Sequence, residues 1–373
     1  MHQLRRTALF RFTVGLALTI LTALHLPVAA QDAGGAAKPP LGKEQIEQLV
    51  APIALYPDQI LVQTLMASTY PLDVVEAARF IKANKDLLKA DVVVISDSPM
   101  FDRDVPSICY GLRGLAYFQI DVRGTKSDLH SGSFGGAVVN PAMALATALA
   151  GMKDKSGRVK IPGFYDDVVP LREEERQEFA KLPFNEKRYR MDLGAPKLFG
   201  ESGYTTLERV WARPTFEVNG LLSGFTGDGA KTVIPAVAMA KVSMRLVPNQ
   251  QPEKIAELFE AYLKQVMSKS VSFELTRMHG GKPWMTSFDN QYVQAAGRAI
   301  ERGFGKAPVF NREGGSIPVV ATFQEELGLP CVLFGVGLPD ENAHAPDEKI
   351  DLGNFHNGVI ASAALYDEIG RLA

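Results

Sequence analysis

The chain has 373 residues, of which 46% are hydrophobic, and a formal net charge of −2 at pH 7. One hydrophobic core rarely organises so long a chain, so we expect two or more domains. The near-neutral charge gives no basis for nucleic-acid binding or for a strongly acidic bulk substrate.

The first 30 residues have the pattern of a secretory signal peptide. Arg5 and Arg6 precede an apolar stretch at 12–24, and small residues at 28–30 suit a cleavage site. The apolar stretch is too short for a comfortable membrane span. We therefore expect a periplasmic or secreted protein with no span after cleavage, an uncleaved anchor being the alternative. A flexible Gly/Ala/Pro-rich leader is expected at 31–43.

Residues 44–86 are predicted to form a small all-α segment. Hydrophobic residues recur at helical spacing from Glu44 to Leu65, with a break at 56–58, and a further helix is predicted from Val74 to Ala83. The segment contains no histidine or cysteine, so it has no catalytic constellation. Its stretch 49–84 resembles a family of secreted bacterial proteins of unknown function, which implies a helical periplasmic module.

From Leu87 onward strands and helices alternate, which indicates an α/β architecture. Apolar and polar residues alternate in the strand predicted at 236–247, so Arg245 is expected on its polar face. The other predicted strands are 91–96, expected to be buried, 115–122, 271–278 and 331–336. The predicted helices are 140–152, capped by Asn140, and 251–267, 289–302 and 354–372.

Two further features bear on the core. Residues 153–206 are charged and rich in proline and glycine, so we expect an elaboration outside the core. Cys109 and Cys331 each lie in an apolar run, and we interpret them as buried, inert thiols rather than as a disulfide.

Polar groups stand in five places where a strand or helix does not need them. Asp97 ends an aliphatic run, His130 lies in the loop 128–132, and Thr232 lies in the turn 229–235. The loop 312–318 contains paired glycines, which permit close backbone approach to a ligand. His344 follows an apolar strand beside acidic residues, as a metal ligand often does. Each stretch alone also fits an ordinary solvated loop.

Together these stretches resemble the zinc aminoacylase and carboxypeptidase superfamily, most closely its cytosolic dipeptidase and carnosinase branch. The matching segments, in chain order, are LLKADVVVISD, RGTKSDLHSG, GAKTVIP, KVSMRLVP, REGGSIPV and NAHAPDE. The resemblance covers about residues 87–373. The resemblance implies the remnant of a mixed-sheet zinc-peptidase catalytic domain at 87–112 and 284–373. It also implies an α+β lid and dimerisation domain at 113–283, in which helices cover one face of an antiparallel sheet.

The resemblance also assigns roles to single residues. Asp97 and His344 match ligands of the two zinc ions that the family holds in one site. His130 matches a lid histidine that acts on the oxyanion in the partner subunit's active site. The substrate-binding positions are Arg245 and Thr232, which match groups that hold the terminal carboxylate, and Gly315 and Ser316, which match the loop that contacts the substrate backbone. The implied substrate is dipeptide-like, and the implied assembly is a homodimer through the lid. The remaining histidines, His279 and His356, are expected to be structural or exposed.

Several family motifs are absent from this sequence. A His-x-Asp motif, a metal-bridging Asp and a Glu-Glu pair should precede the strand that ends at Asp97, yet residues 31–96 contain no histidine. We therefore expect a dipeptidase-like hydrolase that is incomplete and inactive alone, with an under-packed catalytic part and an unpaired strand edge at 91–96. The alternatives are a non-catalytic periplasmic binding and dimerisation protein, or a chimeric join of two unrelated genes.

Overall fold

The computed structural model of the protein describes residues 71–342 and 347–372. The chain divides into two units, 1–76 and 77–373, and the description below concerns the second. The predicted signal peptide, the leader and the first predicted helices of the small all-α segment lie outside the described residues. The helix predicted from Val74 to Ala83 is observed as α1, Pro71–Ala83.

The remaining elements follow in chain order. The strands are β1, Val93–Ile95; β2, Ser107–Leu112; β3, Gly114–Arg123; β4, Leu129–His130; β5, Thr215–Ser223; β6, Val233–Ile234; β7, Val237–Leu246; β8, Ser272–Gly281; β9, Trp284–Met285; β10, Val309–Glu313; and β11, Cys331–Phe334. The helices are α2, Ser131–Phe134; α3, Pro141–Ala150; α4, Glu173–Lys181; α5, Glu186–Asp192; α6, Thr206–Ala212; α7, Pro252–Val266; α8, Gln291–Phe304; α9, Pro318–Leu327; and α10, Leu352–Gly370.

The predicted catalytic part contains a mixed sheet. Its strand order is β1-β11-β2-β10, and β9 adds to β2 off this path. The pairs β1–β11 and β2–β10 are parallel, whereas β2 runs antiparallel to β11 and β9. The mixed character predicted for this sheet is therefore confirmed.

The predicted lid contains an antiparallel sheet of order β5-β7-β3-β8. Alternate residues of β3 and β7 are fully buried against α3 and α7, because the period of two places them all on one face. Asn140 caps α3, as predicted, through a bond from the Ala142 amide to its side chain. The prediction of helices on one face of an antiparallel sheet is confirmed.

Two expectations about packing were wrong. The strand predicted as buried at 91–96 is the three-residue β1, and Val94 is 40% exposed because β1 ends the described sheet. The segment 153–206 contributes to cores, since Phe164 is buried under the lid sheet and Phe179 packs near Tyr110. The under-packing expected of the catalytic part stays a prediction; the buried side chains of that part include Val293, Ala296, Ile300, Val320, Cys331, Leu333 and Ala361.

Both cysteines are buried free thiols, as predicted. Burial raises the pKa of Cys331 to about 11 and that of Cys109 still further above its ordinary value. Neither thiol is therefore a nucleophile at neutral pH.

No helix within the described ranges is both long and apolar enough to cross a membrane.

Candidate functional site

The lid sheet and the loop after β10 meet through Arg245 and Ser316. Arg245 lies on β7 opposite Leu115 and Thr215, on the face of the sheet away from α3 and α7. Its Nη1 donates to the Ser316 hydroxyl at 3.0 Å. The structure thus brings together two residues that the sequence assigned to substrate binding, although 71 positions separate them.

A second guanidinium lies beside Arg245. Arg113 stands between β2 and β3, and burial together with the positive charge of Arg245 lowers its pKa to about 10. Burial also lowers the pKa of Arg245. Neither guanidinium has a carboxylate within 4.0 Å among the residues that the structure describes. Glu217 and Glu313 attract Arg113 from beyond ion-pair distance, so two partly desolvated cations without a directly paired carboxylate make this a favourable place for an anion.

The paired glycines, Gly314 and Gly315, differ in how much space surrounds them. A Cβ at Gly314 would lie 2.9 Å from Arg113 Nη2 and 3.1 Å from Val210 Cγ1, so a larger residue there would displace the Arg113 guanidinium. A Cβ at Gly315 would meet nothing within 4 Å, and Gly315 is exposed. The space beside Gly315 is therefore open to a ligand that reaches Ser316 and Arg245.

Glu313 is the acid of this site. The Asn311 side-chain amide donates to its Oε1 at 2.9 Å. Burial raises the pKa of Glu313 to about 7, although Asn311 and the nearby Arg113 oppose that rise. Glu313 can therefore change its charge near neutral pH, close to the Arg113 guanidinium.

His130 and Thr232 form a separate pair on the two-stranded sheet of β4 and β6. The Gly132 and Ser133 amides donate to His130 Nδ1 at 3.0 and 3.3 Å. In the neutral ring the proton is then on Nε2, which lies 3.2 Å from the Thr232 hydroxyl. Both residues are exposed. The resemblance grouped Thr232 with Arg245, whereas the structure places it in direct contact with His130.

The two predicted zinc ligands are not seen together. Asp97 is exposed and follows β1, and His344 lies outside the described residues. No group of three or more histidine, cysteine, aspartate or glutamate side chains at 71–342 and 347–372 could hold a metal ion. The described residues alone therefore do not fit a zinc ion, which takes three or four protein ligands.

His279 and His356, which were expected to be structural or exposed, are both exposed. His279 lies on β8 and stacks on Tyr117 with ring centroids 4.9 Å apart. This contact supports the interpretation of His279 as structural.

Sequence reasoning missed Arg113 and Glu313. Arg113 lies between two strands and Glu313 ends one, and neither stands in a pattern that marks a site. A sharper reading of the REGGS segment, which places an acid directly before the paired glycines, could have singled out Glu313. No local signal marks Arg113, because its neighbours at Gly314 and Ser316 are about 200 positions away.

Parts of this chain match known families and proteins. Residues 110–271 match the family described as a peptidase dimerisation domain, and residues 42–118 match a family described as a protein of unknown function, DUF3300. The chain is 36% identical over 281 residues to the Cys-Gly metallodipeptidase dug1 of Schizosaccharomyces pombe, covering 74% of this chain and 59% of that protein. It is 34% identical over 285 residues to the human Beta-Ala-His dipeptidase, covering 76% and 56%.

Residues 87–373 resemble the zinc aminoacylase and carboxypeptidase superfamily.

Solved structures give the same result. The Saccharomyces cerevisiae di-peptidase Dug1p superposes with a TM-score of 0.70 at 32% identity, over 80% of this chain and 63% of that one. An M20 family metallo-carboxypeptidase from Sulfolobus solfataricus superposes with a TM-score of 0.71 at 31% identity, over 78% and 66%. The chain thus spans less than two thirds of the length of these relatives. The match to DUF3300 extends beyond residue 86, where the small all-α segment was predicted to end.

Proposed function

We propose that this chain is a dipeptidase-like member of a hydrolase superfamily and that it binds the free carboxylate of a dipeptide-like substrate at Arg245 and Ser316. The observation that carries the proposal is the half-buried Arg245 guanidinium, which donates to Ser316 and has no carboxylate partner among the described residues. A guanidinium offers a planar pair of donors that matches a carboxylate. The relatives whose names state dipeptides as substrates support this choice of ligand.

Carboxylate recognition is tested by comparing two ligands that differ in one group. Glycylglycine carries a terminal carboxylate, and glycylglycinamide does not. We expect the unaltered protein to bind glycylglycine more tightly than the amide in calorimetric titrations. Arg245→Ala should weaken glycylglycine binding at least about thirtyfold, because a charge-assisted contact is lost in a partly desolvated site. Arg123→Ala, at the exposed far end of β3, serves as the control. Equal affinity for the two ligands would contradict the proposal.

We propose further that the chain does not complete hydrolysis by itself. The family chemistry uses zinc, which polarises the scissile carbonyl and activates a water. The residues that would hold it here are Asp97 and His344, and the sequence lacks the family's base and bridging acid. This chain's own groups then bind and orient: Arg245 and Ser316 at the carboxylate, and His130 from a neighbouring subunit. Binding without turnover would favour the alternative of a non-catalytic binding and dimerisation protein.

A periplasmic or secreted location is part of the proposal. Its support is the basic start, the short apolar stretch and the small residues at 28–30. Fractionation of expressing cells, with mass spectrometry of the mature amino terminus, tests it. Cleavage after residue 30 is expected, and retention of the full chain in the cytoplasm would contradict it.

A further inference from the structure

Arg113 is the single residue between β2 and β3, which belong to two different sheets. Its backbone amide and its backbone carbonyl each form a hydrogen bond with the segment Glu313–Ser316. The Arg113 amide donates to the Glu313 carbonyl at 3.3 Å, and the Ser316 hydroxyl donates to the Arg113 carbonyl. Hydrogen bonds therefore connect Arg113, where the chain passes from one sheet to the other, directly to the segment that contains Ser316.

The side chain of Arg113 adds two bonds to the same region. Its Nε donates to the Gly314 carbonyl at 3.0 Å, and its Nη1 donates to the Arg213 carbonyl at 3.4 Å. Because the guanidinium is a rigid planar fork, these two bonds fix its orientation. A Cβ at Gly314 would lie 2.9 Å from Nη2, so a larger residue there would displace the guanidinium. Arg113 thus holds the segment Glu313–Ser316 from two sides.

A partly buried cation without an ionic partner is costly, and an apolar side chain of similar volume is often the more stable choice. Arg113 donates to the carbonyl oxygens of Gly314 and Arg213 and has no directly paired carboxylate within the described part of the chain. The positive charge of Arg245 acts on it more strongly than the negative charge of either Glu217 or Glu313. An anion bound between these groups and Ser316 would relieve that repulsion. The arrangement is therefore better suited to a ligand site than to packing alone.

We propose that Arg113 is the positioning residue of the carboxylate site: it clamps the segment Glu313–Ser316 so that the Ser316 hydroxyl meets Arg245. The clamp acts through three bonds to that segment and adds a second positive charge beside the ligand. Arg113 itself need not touch the substrate. This inference rests on the proposed function, because it names Arg245 and Ser316 as the ligand-binding groups.

The test combines affinity with local hydrogen exchange in the full chain. We expect Arg113→Met to weaken glycylglycine binding about tenfold and to accelerate amide exchange at residues 314–317. Arg113→Lys keeps a donor that reaches the Gly314 carbonyl, so it should weaken binding less, about threefold. Arg209→Met is the matched control. Like Arg113, Arg209 donates its Nε to a backbone carbonyl, that of Glu201, at 2.9 Å, but it makes no bond to the segment Glu313–Ser316. The control should lower stability without changing affinity or exchange at 314–317.

Two outcomes overturn the inference. The first is unchanged glycylglycine affinity in Arg113→Met while Arg245→Ala binds weakly, which would leave the proposed function intact. The second is unchanged exchange at 314–317 in Arg113→Met. If the unaltered protein does not bind glycylglycine at all, the proposed function fails. The exchange measurement alone then decides whether Arg113 clamps the segment Glu313–Ser316. Faster exchange in Arg113→Met but not in Arg209→Met would then still support the clamp.

Discussion

Glu313 combines a buried carboxyl group with a nearby positive charge, so its protonation should affect stability. Its pKa in the folded protein is about 7, against 4.5 for an unperturbed glutamate. Because the folded state holds this proton more tightly, the stabilisation it gives is fully present below pH 4.5. It is lost as the pH rises from 4.5 through 7.

Glu313→Gln should remove this pH dependence. The free energy of unfolding of the unaltered protein should fall, relative to that of the variant, by about 2 kcal/mol between pH 4.5 and 7.5. Urea unfolding at the two pH values measures the difference. Glu274→Gln, on the exposed β8 edge, is the control and should leave the pH dependence unchanged. Identical pH dependence in Glu313→Gln and the unaltered protein would show that Glu313 titrates normally.

The site residues show what a sequence can and cannot indicate at this scale. Arg245 and Ser316 could be assigned to substrate binding because each stands in a motif that resembles the family's, and the structure places the two in contact. Glu313 owes its properties to burial under elements distant in the chain, and Arg113 owes its role to two carbonyls 100 and 201 positions away. Such properties depend on tertiary packing, and no local pattern encodes them.

At the scale of elements, α4 is fixed to the mixed sheet by a buried ion pair. Glu175 on α4 pairs with Arg312 on β10, and the Tyr110 hydroxyl donates to Glu175 at 3.1 Å. Both charged side chains are less than a tenth exposed. Removing one partner leaves the other charge buried and unpaired, which is more damaging than losing a surface pair.

Glu175→Ala should therefore destabilise the protein strongly. We expect the free energy of unfolding to fall by about 3 kcal/mol. Glu178→Ala on the same helix is the matched control, because its pair with Lys181 is solvent-exposed and should contribute less than about 1 kcal/mol. Chemical denaturation of both variants measures the contrast. Equal losses would mean that the buried pair does not anchor α4.

The second element is β5, an edge strand of the lid sheet with exposed apolar side chains. Val218, Leu221 and Leu222 are 45%, 58% and 56% exposed, whereas the opposite edge, β8, presents mainly polar residues. An apolar edge strand favours pairing with another chain. The match of residues 110–271 to a peptidase dimerisation domain supports a homodimer, and we predict from the exposed apolar edge that the second copy docks at β5.

Leu221→Glu should weaken a homodimer formed at β5. Because the dimer would bury Leu221, a charge in its place should raise the dimer dissociation constant at least about tenfold. Sedimentation over a concentration series measures the shift. Leu193→Glu, at an equally exposed leucine outside the lid sheet, is the control and should not change the dimer. A dimer that tolerates Leu221→Glu would place the interface elsewhere.

The elements themselves were predictable to different degrees. The helices α3, α7 and α10 and the strands β3 and β7 were predicted within about two residues, because caps or a clear period define them. Strand β2 was missed, since all six residues are buried and no alternation appears. Strand β10 was missed because its sequence, VFNRE, is largely polar; those polar groups serve the Glu175 pair and the candidate site.

For the whole molecule, ligand binding and catalysis would depend on different groups. The proposed carboxylate-binding pair, Arg245 and Ser316, is in contact, whereas the zinc ligands predicted from the sequence are only Asp97 and His344. A stable zinc site takes three or four protein ligands, and affinity falls steeply when fewer are present. We therefore expect this protein to bind a dipeptide without hydrolysing it.

Zinc content, dipeptide binding and dipeptide cleavage, measured on the same protein, test this expectation. After zinc is supplied and the protein is dialysed, we expect less than about one zinc ion per chain by elemental analysis, with His344→Ala retaining as little. Glycylglycine should still bind, because Arg245 and Ser316 need no metal, and it should not be cleaved. The control for assay conditions is a full-length dipeptidase treated identically. About two zinc ions per chain, with chelator-sensitive cleavage abolished by His344→Ala, would show that the remaining ligands come from residues outside the recognised motifs.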